Sequence, residues 1–320
     1  MATIMSVGSI NADFQVRVDA LPHNGEMAMG REFARLSGGT GPNVARAAQL
    51  LGFGTQVLGM VGDDDLADQA LGPLRRANVD VSHVRVAHGH ATAVATNLVM
   101  PDGSQHKVFA PNASAAWSDD DLTAARTAID ALAPDDVLVV SCDISAAAVT
   151  CVLQAAARRG LRVVLDPVPG DRVSTRAVRK LWAHVSAVMP DDTAASRMSG
   201  VSVSDDNSAA RAAQVMHARG VALACVRRAH GGCVAVFDGN TLFVAPQPVT
   251  IVDTSGADDA FAGALAVALA EERGPLDAVL FAAAAAHLAL TRYGAQASCG
   301  ERDEVEAMQA TLRPLARLYR

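Results

Sequence analysis

Four short stretches carry residue types and spacings that could do chemistry. In Asp253-Thr254-Ser255-Gly256-Ala257-Asp258-Asp259-Ala260-Phe261 a polar, glycine-containing turn runs into an alanine-rich segment. Such a turn at a helix start presents free N–H groups to an anion, and an acidic side chain beside it could take the proton of an attacking hydroxyl. The competing reading is an ordinary acidic N-cap. In Ser37-Gly38-Gly39-Thr40-Gly41-Pro42-Asn43 the three glycines let backbone approach a ligand, Pro42 suits a first helical turn, and Asn43 would face whatever the glycines approach. It is not a Walker A loop, since no Lys-Ser/Thr follows the last glycine, and a glycine-rich turn capping a helix is the plainer alternative. Ser9-Ile10-Asn11-Ala12-Asp13 follows an apolar run. It puts an amide and a carboxylate beyond the carboxyl end of a strand, where ligands of open α/β sheets bind, although both are also turn residues. Thr291-Arg292-Tyr293-Gly294-Ala295-Gln296-Ala297-Ser298 closes a helical segment and would otherwise be a simple turn.

The elements that must hold these stretches follow from the hydrophobic pattern. It predicts a strand over 3–7, alternating antiparallel strands over 13–18 and 27–35, a helix over 42–51 closed by Gly52, and a strand over 56–61. Segments 93–100 and 106–110 flank Pro101-Asp102-Gly103 as a hairpin. From Ser118, which with Asp121 marks a helix start, the rhythm becomes β–α alternation. Short apolar strands fall at 137–140, 162–165, 185–189 and 222–226, with helices at about 146–159 and 209–219. Strands over 234–237 and 241–244 pair around Asp238-Gly239-Asn240, and long helices begin near Gly256, Leu276 and Glu304. Continuous apolar strands between amphipathic helices imply an α/β fold, a mostly parallel sheet covered by helices on both faces. The early hairpins, about 13–36 and 91–111, do not fit that rhythm and are expected to form a small β-sheet lid on a single domain spanning 1–320.

The 320 residues are 50 % hydrophobic and carry a net charge of −7. An acidic balance argues against a nucleic-acid partner, and 19 % charged residues amid so much apolar content excludes intrinsic disorder. No apolar run reaches the roughly 18 residues of a membrane span. Segment 279–290 is interrupted by His287 and reads as a buried helix, and the N-terminal segment lacks the basic start of a leader. Five cysteines without a CxxC pair read as reduced thiols of a cytoplasmic protein rather than zinc ligands.

In this order and at these distances the stretches resemble the ribokinase-like (PfkB) sugar-kinase family, its ribokinase branch most. The residues that carry the resemblance are GSINAD (8–13), GGTGPN (38–43), LDPVPG (165–170), DTSGADDAF (253–261) and TRYGAQAS (291–298), spread over nearly the whole chain. The resemblance implies a mostly parallel sheet with a β lid, and transfer of the γ-phosphoryl of ATP, with Mg²⁺, to a hydroxyl of a small sugar or nucleoside. A homodimer paired through the lids is implied too. By the same resemblance Asn11 and Asp13 grip sugar hydroxyls, Gly38, Gly39 and Asn43 line the opposite wall, and Asp143 falls at a sugar-contacting acid. Asp259 matches the catalytic base, and the backbone of Gly256, Ala257 and Asp258 the anion hole. Asp191, Arg227 and Gly232 fall on the nucleotide side. Asp253, Ser255, Gly294 and Ser298 occupy the stretches of a monovalent-cation site, which motivates a potassium requirement.

The departures from the family pattern gather on the nucleotide side. GAGD reads GADD, so Asp258 brings bulk and charge where a glycine N–H approaches phosphate. The NxxE motif falls at Asp191-Asp192-Thr193-Ala194, where a carboxylate could hold metal-bound waters or simply cap the helix after Pro190. VTxGxxG reads Val226-Arg227-Arg228-Ala229-His230-Gly231-Gly232. Arg227 could bind phosphate and offset the extra carboxylates, or be a solvated surface arginine. The lysine of the family's glycine stretch is Thr40 here. Two functions follow: an active kinase of a small sugar or nucleoside with a remodelled phosphate site, or a non-catalytic sugar- or nucleoside-binding protein of the same fold.

Overall fold

The structure, a computed structural model, describes residues 2–168, 176–228 and 231–320. In chain order its strands are β1 (Thr3–Val7), β2 (Asn11–Val18), β3 (Gly30–Gly38), β4 (Gly54–Gly62), β5 (Asp80–Ala87), β6 (Ala93–Val99), β7 (Gln105–Ala110), β8 (Val137–Ser141), β9 (Arg162–Asp166), β10 (Ala187–Val188), β11 (Leu223–Arg227), β12 (Cys233–Phe237), β13 (Asn240–Val244) and β14 (Ala316–Tyr319). Its helices are α1 (Thr40–Leu50), α2 (Leu66–Arg76), α3 (Asn112–Ala115), α4 (Asp119–Asp130), α5 (Ala146–Arg159), α6 (Arg176–Arg179), α7 (Asp192–Ser199), α8 (Asp206–Ala218), α9 (Ala257–Ala270), α10 (Pro275–Leu290) and α11 (Arg302–Leu312).

Ten strands form one sheet in the order β14-β13-β12-β11-β10-β9-β8-β1-β4-β5. From β11 through β5 every pairing is parallel, and β12, β13 and β14 extend the sheet antiparallel. β1, β8 and β9 are continuous apolar runs because both their faces are buried. One face packs on α1, α9, α10 and α11, the other on α4, α5, α7 and α8. α9 and α10 are apolar all round, as helices enclosed on every side are. α9 lies against α1 at a glycine: a Cβ on Gly263 would stand 2.8 Å from Ala47 Cβ and 2.9 Å from the Val44 carbonyl. That close approach brings the starts of α1 and α9 together at the carboxyl end of the sheet.

β3, β2, β6 and β7, in that order, form a separate four-stranded sheet. β2 pairs antiparallel with β3 and parallel with β6, and β6 returns as β7. The β6–β7 turn is held by Asp102, whose Oδ1 accepts from Ser104 N at 2.9 Å and Ser104 Oγ at 2.6 Å. Strand alternation puts Asn11, Asp13 and Gln15 on one face of β2 and Phe14 and Val16 on the other.

The structure differs from the sequence pattern in places. β3 begins at Gly30, not at residue 27, and Met27 and Met29 are exposed rather than part of an apolar strand. The strand expected over 185–189 pairs only at Ala187 and Val188. α2, β5 and β14 occupy segments for which the pattern named no element. The helix start at Ser118 is a capping box: Asp121 N donates to Ser118 Oγ at 3.2 Å, and Ser118 N to Asp121 Oδ2 at 3.0 Å. Among the described residues no helix is long and apolar enough to cross a membrane.

Candidate active site

The chain leaving β1 crosses the start of α1 at backbone distance. A Cβ on Gly39, whose φ is +97°, would stand 2.2 Å from the Ser9 carbonyl, and Gly41 N donates to that same oxygen at 3.3 Å. Only glycine fits there. Asp13 lies directly over Gly38, where a Cβ would come within 2.4 Å of the carboxylate. Asn11, Asp13, Gln15 and Asn97 are buried, and the Asn97 amide donates to Asp13 Oδ2 at 3.5 Å. Asn11 Oδ1, Asp13 Oδ1, Asn97 Oδ1 and Gln15 Nε2 have no hydrogen-bond partner. Buried polar atoms are normally paired, so four orphans in one patch suit a ligand bearing several hydroxyls. Burial pushes the Asp13 carboxyl above its ordinary value, against the pull of Lys107 and the Asn97 amide. Asp143 is engaged by the protein itself: it accepts from Ser9 N (2.9 Å), Ser9 Oγ (2.5 Å) and Thr40 Oγ1 (2.9 Å), bracing the two segments that face the patch.

Asp259, on the first turn of α9, is hydrogen-bonded to the glycine-rich stretch whose Gly38 lies under Asp13. Asn43 Nδ2 donates to Asp259 Oδ2 at 2.8 Å, Gln296 Nε2 donates to Asn43 Oδ1 at 3.2 Å, and Gln296 also reaches Ser37 Oγ at 3.0 Å. Three of the four stretches singled out above are thus linked through Asn43, which bonds Asp259 on one side and Gln296 on the other. Burial pushes Asp259 up to about 7; Asp166 and Asp143 add to the rise, while Asn43 and Lys107 oppose it. A carboxylate poised near neutrality is suited to accepting a proton at physiological pH. Gly256 starts the helix with φ +74°, and a Cβ there would stand 2.6 Å from the Ala295 carbonyl. The first helical bond runs from Ala260 N to Gly256 O at 2.8 Å, so the N–H groups of Ala257, Asp258 and Asp259 have no acceptor within the helix.

Beyond Asp258 opens a cleft of 760 Å³. Asp191, Arg227 and Gly232 line its polar side, and Val249, Phe261 and Leu290 its apolar side. His287 lies at the apolar end with both ring nitrogens engaged: Nε2 accepts from Gln247 N at 3.1 Å and Nδ1 lies 2.7 Å from the Ala283 carbonyl. Burial lowers its pKa. Arg227 is no solvated surface arginine, being 8 % exposed. Its Nε donates to the Met189 carbonyl at 2.9 Å, Nη1 pairs with Asp258, and Nη2 stands 3.8 Å from Asp166 Oδ1. Arg228 is held between Asp192 at 2.5 Å and Asp206 at 3.1 Å. Asp191 caps α7, accepting from Ala194 N at 2.6 Å, so the capping role is the one in place. Ala229 of the same stretch, His230, and Pro169 and Gly170 of LDPVPG lie outside the described residues.

Asp253, Ser255, Gly294 and Ser298 also come together. The buried Asp253 clamps two loops, accepting from Ser255 N at 2.8 Å and Gly294 N at 2.9 Å. Gln105 of β7 donates to both Asp253 Oδ1 and Ser255 Oγ. Ser298 Oγ donates to the Ala295 carbonyl at 3.2 Å.

A family profile described as "pfkB family carbohydrate kinase" matches residues 1–302. The chain belongs to the pfkB carbohydrate kinase family. Ribokinase of Haemophilus influenzae is 28 % identical over 302 residues, 94 % of this chain and 96 % of that one. The structure of Arabidopsis thaliana ribokinase complexed with ribose and ATP matches with a TM-score of 0.76 at 26 % identity, over 97 % of this chain and 99 % of that one. Ribokinase from Giardia lamblia matches with a TM-score of 0.83 at 25 % identity, over 96 % and 99 %. As a pfkB member the chain is, in general terms, a sugar kinase that uses ATP.

Several residues of this candidate site were given no role by the sequence pattern, Asp166 among them although it lies in LDPVPG. Gln15 continues the alternation of Asn11 and Asp13 and could have been read from it. Asp166 ends β9, at the sheet edge where ligands gather; burial pushes it up to about 6, with Arg227 pulling the other way. Asn97 and Gln105 are placed by the pairing of β6 with β7 and carry no local signal.

Proposed function

We propose that the protein transfers the γ-phosphoryl of ATP to a hydroxyl of a small sugar or nucleoside, with Asp259 as general base. The observation that carries this is Asp259 itself: buried, pushed up to about 7, hydrogen-bonded to Asn43 of the glycine-rich stretch, and next in the chain to Asp258, which lines the cleft. In this reading Asn11 and Asp13 hold acceptor hydroxyls, with Gly38, Gly39 and Asn43 as the opposite wall and Asp143 bracing Ser9 and Thr40 behind them. The hydroxyl proton passes to Asp259. The N–H groups from Gly256 to Asp258 meet the charge that develops on the phosphoryl group, where positioning and charge stabilisation do most of the work. The nucleotide lies in the cleft along Asp191, Arg227 and Gly232.

Among the described residues no three ligating side chains stand together. Mg²⁺ would therefore be carried chiefly by the nucleotide phosphates and water, with the Asp191 carboxylate in the same cleft, and would neutralise phosphate charge. For potassium the Asp253 carboxylate is already committed to Ser255 N and Gly294 N. A cation between these loops would draw on main-chain carbonyls and Ser298. We assign the small sheet, about 13–36 and 91–111, the role of a lid on a single kinase domain spanning 1–320, in a cytoplasmic homodimer.

The carboxylate of Asp258 at the start of α9 favours the second reading, a non-catalytic binding protein. A coupled assay of ADP release over sugars and nucleosides separates the two. Asp259→Asn is expected to lose about 10²–10⁴-fold in turnover while sugar affinity changes little. Near-parental turnover in that variant would remove Asp259 from the chemistry. Sugar binding without ADP release from any acceptor would leave only the binding protein.

A further inference from the structure

Two opposite charges meet inside the cleft, and their burial is unequal. Arg227 ends β11 almost wholly enclosed, whereas the Asp258 side chain, on the first turn of α9, is 65 % exposed. A guanidinium keeps its charge in any protein environment, and a buried charge without a counter-charge is strongly unfavourable. The buried Asp166, 3.8 Å away, is a counter-charge beyond hydrogen-bond distance, so Arg227 gains from a closer anion, while Asp258, largely in water, does not need Arg227. Behind the pair the arginine is fixed by the Met189 carbonyl, and its Nη2 is buried with no hydrogen-bond partner, 3.8 Å from Asp166. Arg227 lines the cleft that also holds the N–H groups at the start of α9, and its fork retains one unfilled donor behind the pair with Asp258.

We propose that Asp258 is a stand-in anion: it neutralises Arg227 while the cleft is empty and yields the guanidinium to a phosphate of an incoming nucleoside triphosphate. The inference rests on the nucleotide reading of the cleft given above. A phosphate offers the fork a bidentate partner of higher charge than one carboxylate. It also arrives at a helix N-terminus that favours anions, and Asp258 remains solvated when it turns away. Arg227 is then what lets a carboxylate stand beside a polyphosphate.

Calorimetry with Mg·ADP on the full chain tests this without requiring turnover. Asp258→Asn keeps the side-chain shape and removes the competing charge, so it should tighten Mg·ADP by about tenfold. Arg227→Met should weaken binding by at least as much, and should do so in the Asp258→Asn background as well, because the guanidinium itself holds the phosphate. If Arg227→Met has no effect in that background, Arg227 only neutralises Asp258 and the proposal is overturned. Weaker Mg·ADP binding in Asp258→Asn overturns it equally. Should the Arg227 variant not fold, melting temperatures decide. Unliganded Asp258→Asn should melt below the parent, and Mg·ADP should raise its Tm by more than it raises the parent's; an equal or smaller rise counts against the proposal. A parent chain that phosphorylates no acceptor yet follows this binding pattern would sink the kinase reading and leave the pair standing.

Discussion

Asp259 illustrates how a residue's surroundings set its working pH. Its ordinary value is 3.8, and burial, reinforced by Asp166 and Asp143, carries it up to about 7 against the Asn43 amide and Lys107. A base acts only when ionised. With Asp259 as base, kcat/KM should climb about tenfold per pH unit below about 7 and level off above it. Asn43→Ala removes a hydrogen bond to the charged form, so it should move the rising limb to higher pH as well as lower the rate. A pH–rate profile of both proteins checks this. A flat profile between about pH 5 and 9 would mean that no carboxyl with this environment takes part.

At the scale of the element, Gln105 ties the small sheet to the loop that leads into α9. Gln105 opens β7 and donates to Asp253 and Ser255, in the loop that leads into α9. The β6–β7 turn sits on the same loop, with Thr254 Oγ1 donating to the Gly103 carbonyl at 3.4 Å. Two hydrogen bonds of about 1 kcal/mol each hold the sheet, and the polar patch it carries, against the loop before α9. Gln105→Ala should therefore raise the sugar KM by roughly tenfold with little change in the nucleotide KM; equal effects on both would show that the contact serves α9 rather than the sheet. This tie also marks the limit of what the sequence displayed. Asn43 and Asp259 sit in local motifs, and parallel-sheet topology gathers such motifs at one edge, so their meeting could be foreseen. Gln105 and Asn97 matter only through strand register, which a one-residue slip would reverse. α2 was obscured because Gly72 and Pro73 interrupt its pattern. The sequence allowed Arg227 to offset the extra carboxylates or to be a solvated arginine, and only its position in space shows that it is buried and paired with Asp258.

For the whole molecule, the face of the small sheet turned away from the polar patch remains uncovered. Phe14 and Phe33 stack there with ring centroids 6.1 Å apart, and Phe33 and Val108 are 63 % and 73 % exposed. Val16 and Leu98 lie half-buried beside them on the same face. A contiguous apolar sheet face calls for a partner, and a second copy related by a two-fold axis would cover both faces at once with one self-complementary patch. The chain should accordingly run as a dimer in light scattering, and Phe33→Glu should make it a monomer by placing a charge at the patch centre. Because the patch lies on the face opposite Asn11 and Asp13 and shares no residue with the cleft, nucleotide affinity should survive in the monomer. With the small sheet as a lid over the acceptor, sugar KM should rise as that sheet loses its support. A parent chain that is already monomeric at roughly tens of micromolar, a concentration at which a standard-size interface is filled, would show that this face is not an interface between copies.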